Sequence, residues 1–265
     1  MATKTIDTGE RLLPSRIATL EQRLMVLRHF AGYRIAVGLL EGARNIVEIG
    51  SGEGYGSRFL TDRGFAVTGL DVDIETLFRC ARTYASAGCR FVCFGGGEIP
   101  MRSGRFDGAL ALQVIEHVDE DELLASEISR LLVPGGTCVL TTPNAALRLR
   151  SGEKPWNIYH RREYEAAQLE ALVRPFFRRV DVKGIEASPA VERLELRRLY
   201  RIRTLHRLGS RRLRLLLPTV LETLLRSVVR RLASPGGGRE KFSVADYTLG
   251  DDRERALDLI AICRK

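Results

Sequence analysis

Apolar runs alternate with amphipathic stretches along much of this chain, and the runs end in polar or glycine-rich clusters. Ile46, Val47 and Ile49, with Glu48 as the one polar intrusion, read as a buried parallel strand. That run breaks into Gly50-Ser51-Gly52-Glu53-Gly54-Tyr55-Gly56. Glycines there let the backbone take positive φ and approach a ligand closely. The spacing predicts a helix over Tyr55–Asp62 with its N-terminus toward that ligand. A second strand is expected at Ala66–Leu70, ending in Asp71-Val72-Asp73, before a helix over Ile74–Ala85. Phe91–Phe94 reads as a third strand, followed by Gly95-Gly96-Gly97-Glu98. A fourth, Gly108–Leu112, leads into Gln113-Val114-Ile115-Glu116-His117-Val118. A helix over Asp121–Leu132 and a Pro134-Gly135-Gly136 turn precede a fifth strand, Cys138–Thr142. This alternation predicts a doubly wound α/β sheet, mostly parallel, with ligands at the carboxyl ends of its strands.

The glycine spacing narrows the ligand. A dinucleotide fingerprint requires G-x-G-x-x-G. Counting from Gly50 the sixth position is Tyr55, and from Gly52 it is Ser57. Neither frame fits, which disfavours a nicotinamide dehydrogenase, and no G-x-x-x-x-G-K-[ST] phosphate loop is present. Asp71 and Asp73 have two readings. A carboxylate at the end of a second strand can accept from both ribose hydroxyls of a nucleoside, or it can cap the next helix. Asp73 suits the cap and Asp71 the ribose.

Composition changes this picture little until charge is mapped. At 265 residues with 45 % hydrophobic content, the chain can bury a full core. Its five cysteines include no C-x-x-C pair, so buried free thiols in a reducing cytoplasm are expected, without a disulfide framework or zinc site. Charges interrupt the N-terminal segment, so no signal peptide is expected, and no apolar run is long enough to predict a spanning helix. Residues 191–231, however, hold 12 arginines against three glutamates, a balance of +9 that equals the net charge of the whole protein. Val220, Leu221, Leu224, Leu225, Val228 and Leu232 recur there at helical spacing. Such helices either pack on the main domain with a wet arginine face, or meet an anionic membrane or a phosphate-bearing, lipid-linked substrate. Nucleic acid ranks third, because the segment offers only Tyr200 for stacking.

Taken in order, four segments resemble one family: Phe106-Asp107, Val114-Ile115-Glu116-His117-Val118, Leu132-Val133-Pro134-Gly135-Gly136 and Thr142-Pro143-Asn144. With the acid-x-G-x-G-x-G turn from Glu48, they are similar to class I S-adenosylmethionine-dependent methyltransferases. The resemblance covers about residues 8–185 and the last dozen. Thr8-Gly9-Glu10-Arg11, the Gly52–Ser57 turn and Asn157-Ile158-Tyr159-His160-Arg161-Arg162-Glu163-Tyr164 resemble members found with glycan and lipid-linked sugar biosynthesis. It implies a Rossmann-like, seven-stranded sheet. A last antiparallel strand, Ala256–Cys263, would then insert beside a sixth, Arg178–Val182. The expected organisation is an N-terminal helical segment (1–40), a catalytic core (41–186), an arginine-rich helical insertion (187–240) and a return strand (241–265). S-adenosylmethionine is the implied cofactor. Its implied holders are Glu48, Gly50, Ser51, Gly52 and Tyr55 at the turn, Asp71 and Val72 after the second strand, and Gln113 after the fourth. Family members carry a polar side chain where Gly95–Gly97 stand, so Glu98 or backbone groups are left to hold the adenine.

Methyl transfer from a sulfonium needs alignment and exclusion of water. A hydroxyl acceptor also needs its proton removed, and histidine is the usual base near neutral pH. Of four histidines, His29 and His206 fall in predicted helices outside the motifs. His117 and His160 follow the fourth and fifth strands and can reach the crevice. His160 is read as the base or as the anchor of its loop. His117 is read as a base, a turn cap or a wall of the methionine pocket. Tyr159, Arg161 and Glu116 are candidates to position the acceptor, and no metal-ligand cluster is expected. The sequence thus reads as an O-methyltransferase for a sugar, glycolipid or other small acceptor. Methylation of a quinone-like lipid ring is the alternative, and a non-catalytic cofactor-binding module is the rival from another class.

Overall fold

A computed structural model describes residues 17, 19–84, 87–150, 152–208 and 241–265. Helix α1 (Leu20–Leu39) opens on a capping box in which Thr19 and Gln22 bond reciprocally. Then follow β1 (Asn45–Ile49), α2 (Tyr55–Thr61), β2 (Ala66–Asp71), α3 (Ile74–Tyr84), β3 (Arg90–Cys93), β4 (Phe106–Leu112), α4 (Asp121–Leu131) and β5 (Leu132–Pro143). The chain continues through α5 (Ala145–Arg148), α6 (Ala166–Val173), β6 (Arg179–Ala187), α7 (Pro189–Leu208), β7 (Tyr247–Gly250) and β8 (Asp258–Arg264). The sheet has eight strands in the order β3-β2-β1-β4-β5-β8-β6-β7. Pairing is parallel from β3 through β5. Strand β8 runs antiparallel between β5 and β6, as the resemblance implied.

Three expectations need correction. The sheet has eight strands and not seven, because Tyr247–Gly250 adds an antiparallel edge to β6. Four residues are too few to show a two-residue period. Strand β5 begins at Leu132 and not at Cys138. Pro134-Gly135-Gly136 is carried inside it as an irregularity, where pairing jumps from Phe106–Leu132 to Gly108–Thr137. Strand β6 continues to Ala187 because β7 and β8 both pair with its far end.

Alternate residues of the central strands feed opposite faces. Val47, Ile49, Ala109, Ala111 and Leu140 join one buried cluster with Ile128 and Leu131 of α4 and Leu169 of α6. Ile46, Leu110, Leu112 and Val139 join the other with Leu24, Ala31 and Ala36 of α1 and Leu60 of α2.

The described part of the arginine-rich segment is α7, which packs on α1 and buries Val191, Glu195 and Leu199. Arg198 pairs with Glu195, Arg201 with Glu21 of α1, and Arg203 donates to the carbonyls of Leu147 and Arg148. Arg193 and Arg197 are exposed. The predicted helix from Pro218, the link at Ser234–Gly238 and the Thr8–Arg11 motif lie outside the described residues. No described helix is long and apolar enough to cross a membrane.

Candidate active site

One cleft of about 670 Å³ opens at the carboxyl ends of β1, β2, β4 and β5. Its floor is the glycine turn. Gly50 takes φ +70°, and a side chain there would run into Val114. Ser51 donates its N–H to the Leu70 carbonyl (2.9 Å), and Gly52 donates to Asp71 Oδ2 (2.8 Å). Asp71 Oδ1 accepts from the Asp73 N–H (3.0 Å), so one carboxylate oxygen ties the glycine turn to β2 and the other braces the entry to α3. Asp73 caps α3 by accepting from the N–H groups of Glu75 and Thr76, each at 3.1 Å. The division of labour between the two aspartates therefore holds for the cap. The Ser51 hydroxyl lines the cleft, is buried and has no hydrogen-bond partner among the described residues. Tyr55 lines the same end, and Val72 stands at its rim, 62 % exposed.

Two expected cofactor residues stand elsewhere. Glu48 does not line the cleft. It is fully buried behind the turn, where it accepts from the hydroxyls of Tyr33 in α1 and Ser57 in α2. Burial pushes its carboxyl up to about 7, against the pull of those hydrogen bonds. A strand residue before a turn points either into the crevice or behind it, and the pleat sends Glu48 behind. Glu98 is exposed, lies outside the cleft and faces Arg130, while Phe94 and Gly96 line the wall instead.

Helix α1 closes one side of the cleft with Met25, Arg28, His29 and Tyr33. In the sequence, His29 falls in a helix outside the motifs. Its ring packs edge-on against Tyr33 and Tyr55, and burial, helped by the charge of Arg28, lowers its pKa to about 4. The histidine and aromatic spacing in α1 was the available signal, but nothing in a helix pattern says which sheet edge it will cover.

The opposite end is built from the segments after β4 and β5. Gln113 has φ +58°, the one positive φ of a non-glycine among the described residues. Its N–H bonds the Thr141 carbonyl (2.9 Å) and fixes this strained step in place. A 3₁₀ turn, Ile115–His117, then presents Glu116 and His117. The loop before α6 folds over them, with the Arg161 N–H on the Glu116 carbonyl at 2.7 Å. His117 Nδ1 lies 3.1 Å from the Tyr159 carbonyl, and His160 Nδ1 lies 2.7 Å from Glu163 Oε1. Arg148 grips both oxygens of Glu163, at 2.8 and 3.1 Å. The two imidazoles pack edge-to-face, with centroids 4.8 Å apart.

Electrostatics sharpen this end. Burial pushes Glu116 up to about 8, although Thr142 donates to it at 3.2 Å. Burial and the neighbouring His160 lower the pKa of His117. Burial also acts to raise Glu163, but its bonds to His160 and Arg148 win and hold it below the usual range. No metal-ligand cluster is legible in the sequence, yet three possible ligand residues meet here. Glu116, His117 and His160 each place a ligand atom within 4.8 Å of the others. Glu116 and His117 were visible as neighbours, but only the fold brings His160 to them.

Of the residues proposed from sequence, Gly50, Ser51, Gly52, Tyr55, Asp71, Val72, Gln113, His117, Tyr159 and His160 all line this one cleft. Residues 47–140 match the family model described as a methyltransferase domain. A protein of Mycolicibacterium smegmatis, named as a probable S-adenosylmethionine-dependent methyltransferase, is 31 % identical over 191 residues, covering 72 % of each chain. The mitochondrial ubiquinone biosynthesis O-methyltransferase of Arabidopsis thaliana is 30 % identical over 140 residues, 51 % of this chain and 42 % of that one. Among solved structures, an S-adenosylmethionine-dependent methyltransferase from Thermotoga maritima superposes with a TM-score of 0.58 at 15 % identity, covering 92 % of this chain and 94 % of that one. A glycine turn tied to an acidic residue on β2, an antiparallel β8 beside β5, and these matches lead to one conclusion: the chain belongs to the class I S-adenosylmethionine-dependent methyltransferases.

Proposed function

We propose that the enzyme methylates a hydroxyl oxygen of a small or lipid-linked acceptor, a sugar or glycolipid in the first reading. The supporting observation is the polarity of this cleft. One end carries the glycine turn with an unpartnered buried hydroxyl on Ser51, and the other carries paired imidazoles backed by a carboxylate. The backbone of Gly50 and Gly52, the Ser51 hydroxyl and Asp71 fit the donor. An ionised carboxylate offers about four lone-pair sites, so Asp71 keeps acceptor capacity for ribose beyond its backbone bonds. Val72, Phe94 and Val114 supply apolar surface for the base. S-adenosylmethionine brings a methyl group already activated on sulfur; transfer breaks that S–C bond, forms O–C and leaves S-adenosylhomocysteine.

This chain's own residues do the rest. Helix α1 covers the cleft and excludes water. Tyr159 and Arg161 flank the histidines and orient the acceptor. His160, held by Glu163, takes the hydroxyl proton as the acceptor attacks. A second reading places a ring hydroxyl of a quinone-like lipid in the same position, and the likeness to the ubiquinone O-methyltransferase favours it. The exposed Ile158 at the mouth, 83 % accessible, suits either lipid-borne acceptor. The arginine-rich segment from 191 to 231 would hold such acceptors near an anionic membrane.

Release of S-adenosylhomocysteine should be followed with sugar, glycolipid and catechol-type acceptors. His160→Ala should lower turnover by about 10²–10⁴ while donor affinity by calorimetry stays intact. Donor binding without product release for any acceptor would mark a binding module and overturn the proposal.

A further inference from the structure

We propose that Asp258, with Arg28 beside it, selects the acceptor: the pair receives a second hydroxyl of an uncharged acceptor, next to the hydroxyl that is methylated. The inference rests on the hydroxyl-methylation reading and narrows its substrate class to neutral compounds with neighbouring hydroxyls. Placement comes first. Strand β8 runs against β5, so its first residue, Asp258, lies opposite Pro143, the last residue of β5, and also opposite Ile185 of β6. The start of β8 therefore shares the sheet edge where the parallel strands end. Helix α1 crosses that edge and sets Arg28 Nε 3.1 Å from Asp258 Oδ2. Both residues line the cleft, and Met25, Leu112 and Ile185 add apolar lining.

Hydrogen-bonding capacity then points to the ligand. Asp258 is 4 % exposed, and its Oδ1 has no hydrogen-bond partner among the described residues. A buried carboxylate oxygen left without a donor is costly, and an O–H of the acceptor would remove that cost. Arg28 has matching capacity. Its ion pairs run from Nε to Asp258 and from Nη1 to Glu195 at 3.7 Å, whereas a guanidinium carries five N–H groups. An acceptor oxygen beside spare N–H groups suits a hydroxyl, which donates and accepts through one atom. Charge disfavours other ligands. Burial acts to lower the pKa of Arg28, but Asp258 and Glu195 outweigh it and keep it a cation. Arg198 pairs with Glu195 in turn, so two guanidinium groups balance two carboxylates. Glu116 feels the charge of Asp258, yet burial pushes it up to about 8, so it adds little charge near neutral pH. A phosphate or carboxylate would face Asp258 and an ammonium would face Arg28, and neither would find an unmatched counter-charge. The pair also adjoins the proposed base: the charge of Glu163, which holds His160, acts on Asp258. An acceptor with neighbouring hydroxyls can thus give one to His160 and the other to Asp258. A sugar ring and a catechol ring both offer that chemistry.

The test measures release of S-adenosylhomocysteine by the whole protein from paired acceptors. One set is methyl and octyl hexosides with their mono-deoxy counterparts, and the other is catechol with phenol. Whichever set is methylated names the source of the diol. Within it, the member lacking the neighbouring hydroxyl should show kcat/KM lower by about 10–100-fold. Asp258→Ala should make the two members nearly equal by slowing the diol, and Asp258→Asn, which keeps the shape, should narrow the gap. A merely structural defect would slow both members alike. Unchanged affinity for S-adenosylmethionine in calorimetry certifies that each variant is folded. Equal turnover of both members by the wild type, or a gap that survives both substitutions, would overturn the role of Asp258 while hydroxyl methylation stands. Release of S-adenosylhomocysteine from no acceptor would overturn the hydroxyl-methylation reading and this inference with it.

Discussion

Single residues here do more than one job, and their substitution should show it. Asp71 was read as a ribose ligand, and it also accepts the N–H groups of Gly52 and Asp73. Asp71→Ala should cost roughly 1–3 kcal/mol of donor binding, a fall of about tenfold to a hundredfold in affinity. Calorimetry with S-adenosylmethionine measures it, and unchanged affinity would remove Asp71 from the cofactor site. Glu48 is a different kind of residue. Its folded pKa of about 7 stands above the ordinary 4.5 because burial penalises its charge. Between those values the folded chain keeps a proton that the unfolded chain has lost. The contribution of Glu48 therefore falls as pH rises through that window, by up to roughly 3 kcal/mol, and stays low above it. Glu48→Gln cannot ionise, so the variant should gain on the wild type between pH 5 and pH 8. Denaturant titrations at both pH values give the difference, and a constant gap would mean that Glu48 titrates as in water.

At the scale of elements, most contacts that shape the cleft are between pieces whose apposition no local pattern encodes. Helix α2 reaches α1 and β1 only because position 56 lacks a side chain: a Cβ there would collide with the Tyr33 ring and the Glu48 carboxylate. In an exposed helix a glycine-to-alanine change gains up to about 1 kcal/mol. Gly56→Ala should instead lose about 1–3 kcal/mol by overpacking, read as a lower melting temperature. A gain would show that the two helices can separate at no cost. Helix α7 illustrates the reverse case. Its arginines read as a wet face, yet Arg198, Arg201 and Arg203 are spent on Glu195, Glu21 and the carbonyls at the end of α5. Side-chain reach decides this, because a guanidinium on a long stem can turn inward from the edge of an apolar stripe.

For the whole molecule the question is where the charge acts. The balance of +9 in residues 191–231 equals the protein's net charge. With each arginine near an anionic bilayer contributing about 1 kcal/mol, several acting together would give the reversible attachment proposed above. The protein should sediment with anionic vesicles at low salt and leave them as salt shortens the screening length. Changing the exposed Arg193 and Arg197 with Arg211 and Arg214 to Gln should weaken that binding, whereas Arg201→Gln should mainly loosen α7 from α1. Indifference of the wild type to anionic vesicles at low salt would confine the segment to covering the core.

The sequence alone determined the sheet's parallel half and the glycine-turn end of the cleft. Both are encoded locally: apolar runs of strand length, glycines where the backbone must turn, and an acid at the end of β2. These signals sit within one strand–turn–helix unit, so a window of the chain contains the whole cause. The end built after β4 and β5 was different. Glu116-His117 and His160 were each legible, but their meeting depends on the loop before α6 bonding back to the Glu116 carbonyl and on Arg148 anchoring Glu163. Glu48 was legible as an acid on a strand, while the direction of its side chain followed from the pleat and from Tyr33, on a helix that precedes it. Strand β7 is not legible in the sequence because an edge of four residues is defined by its partner β6 and not by its own pattern. Tertiary structure decided what depends on contacts distant in sequence, because charge state, burial and the meeting of side chains arise from what surrounds them.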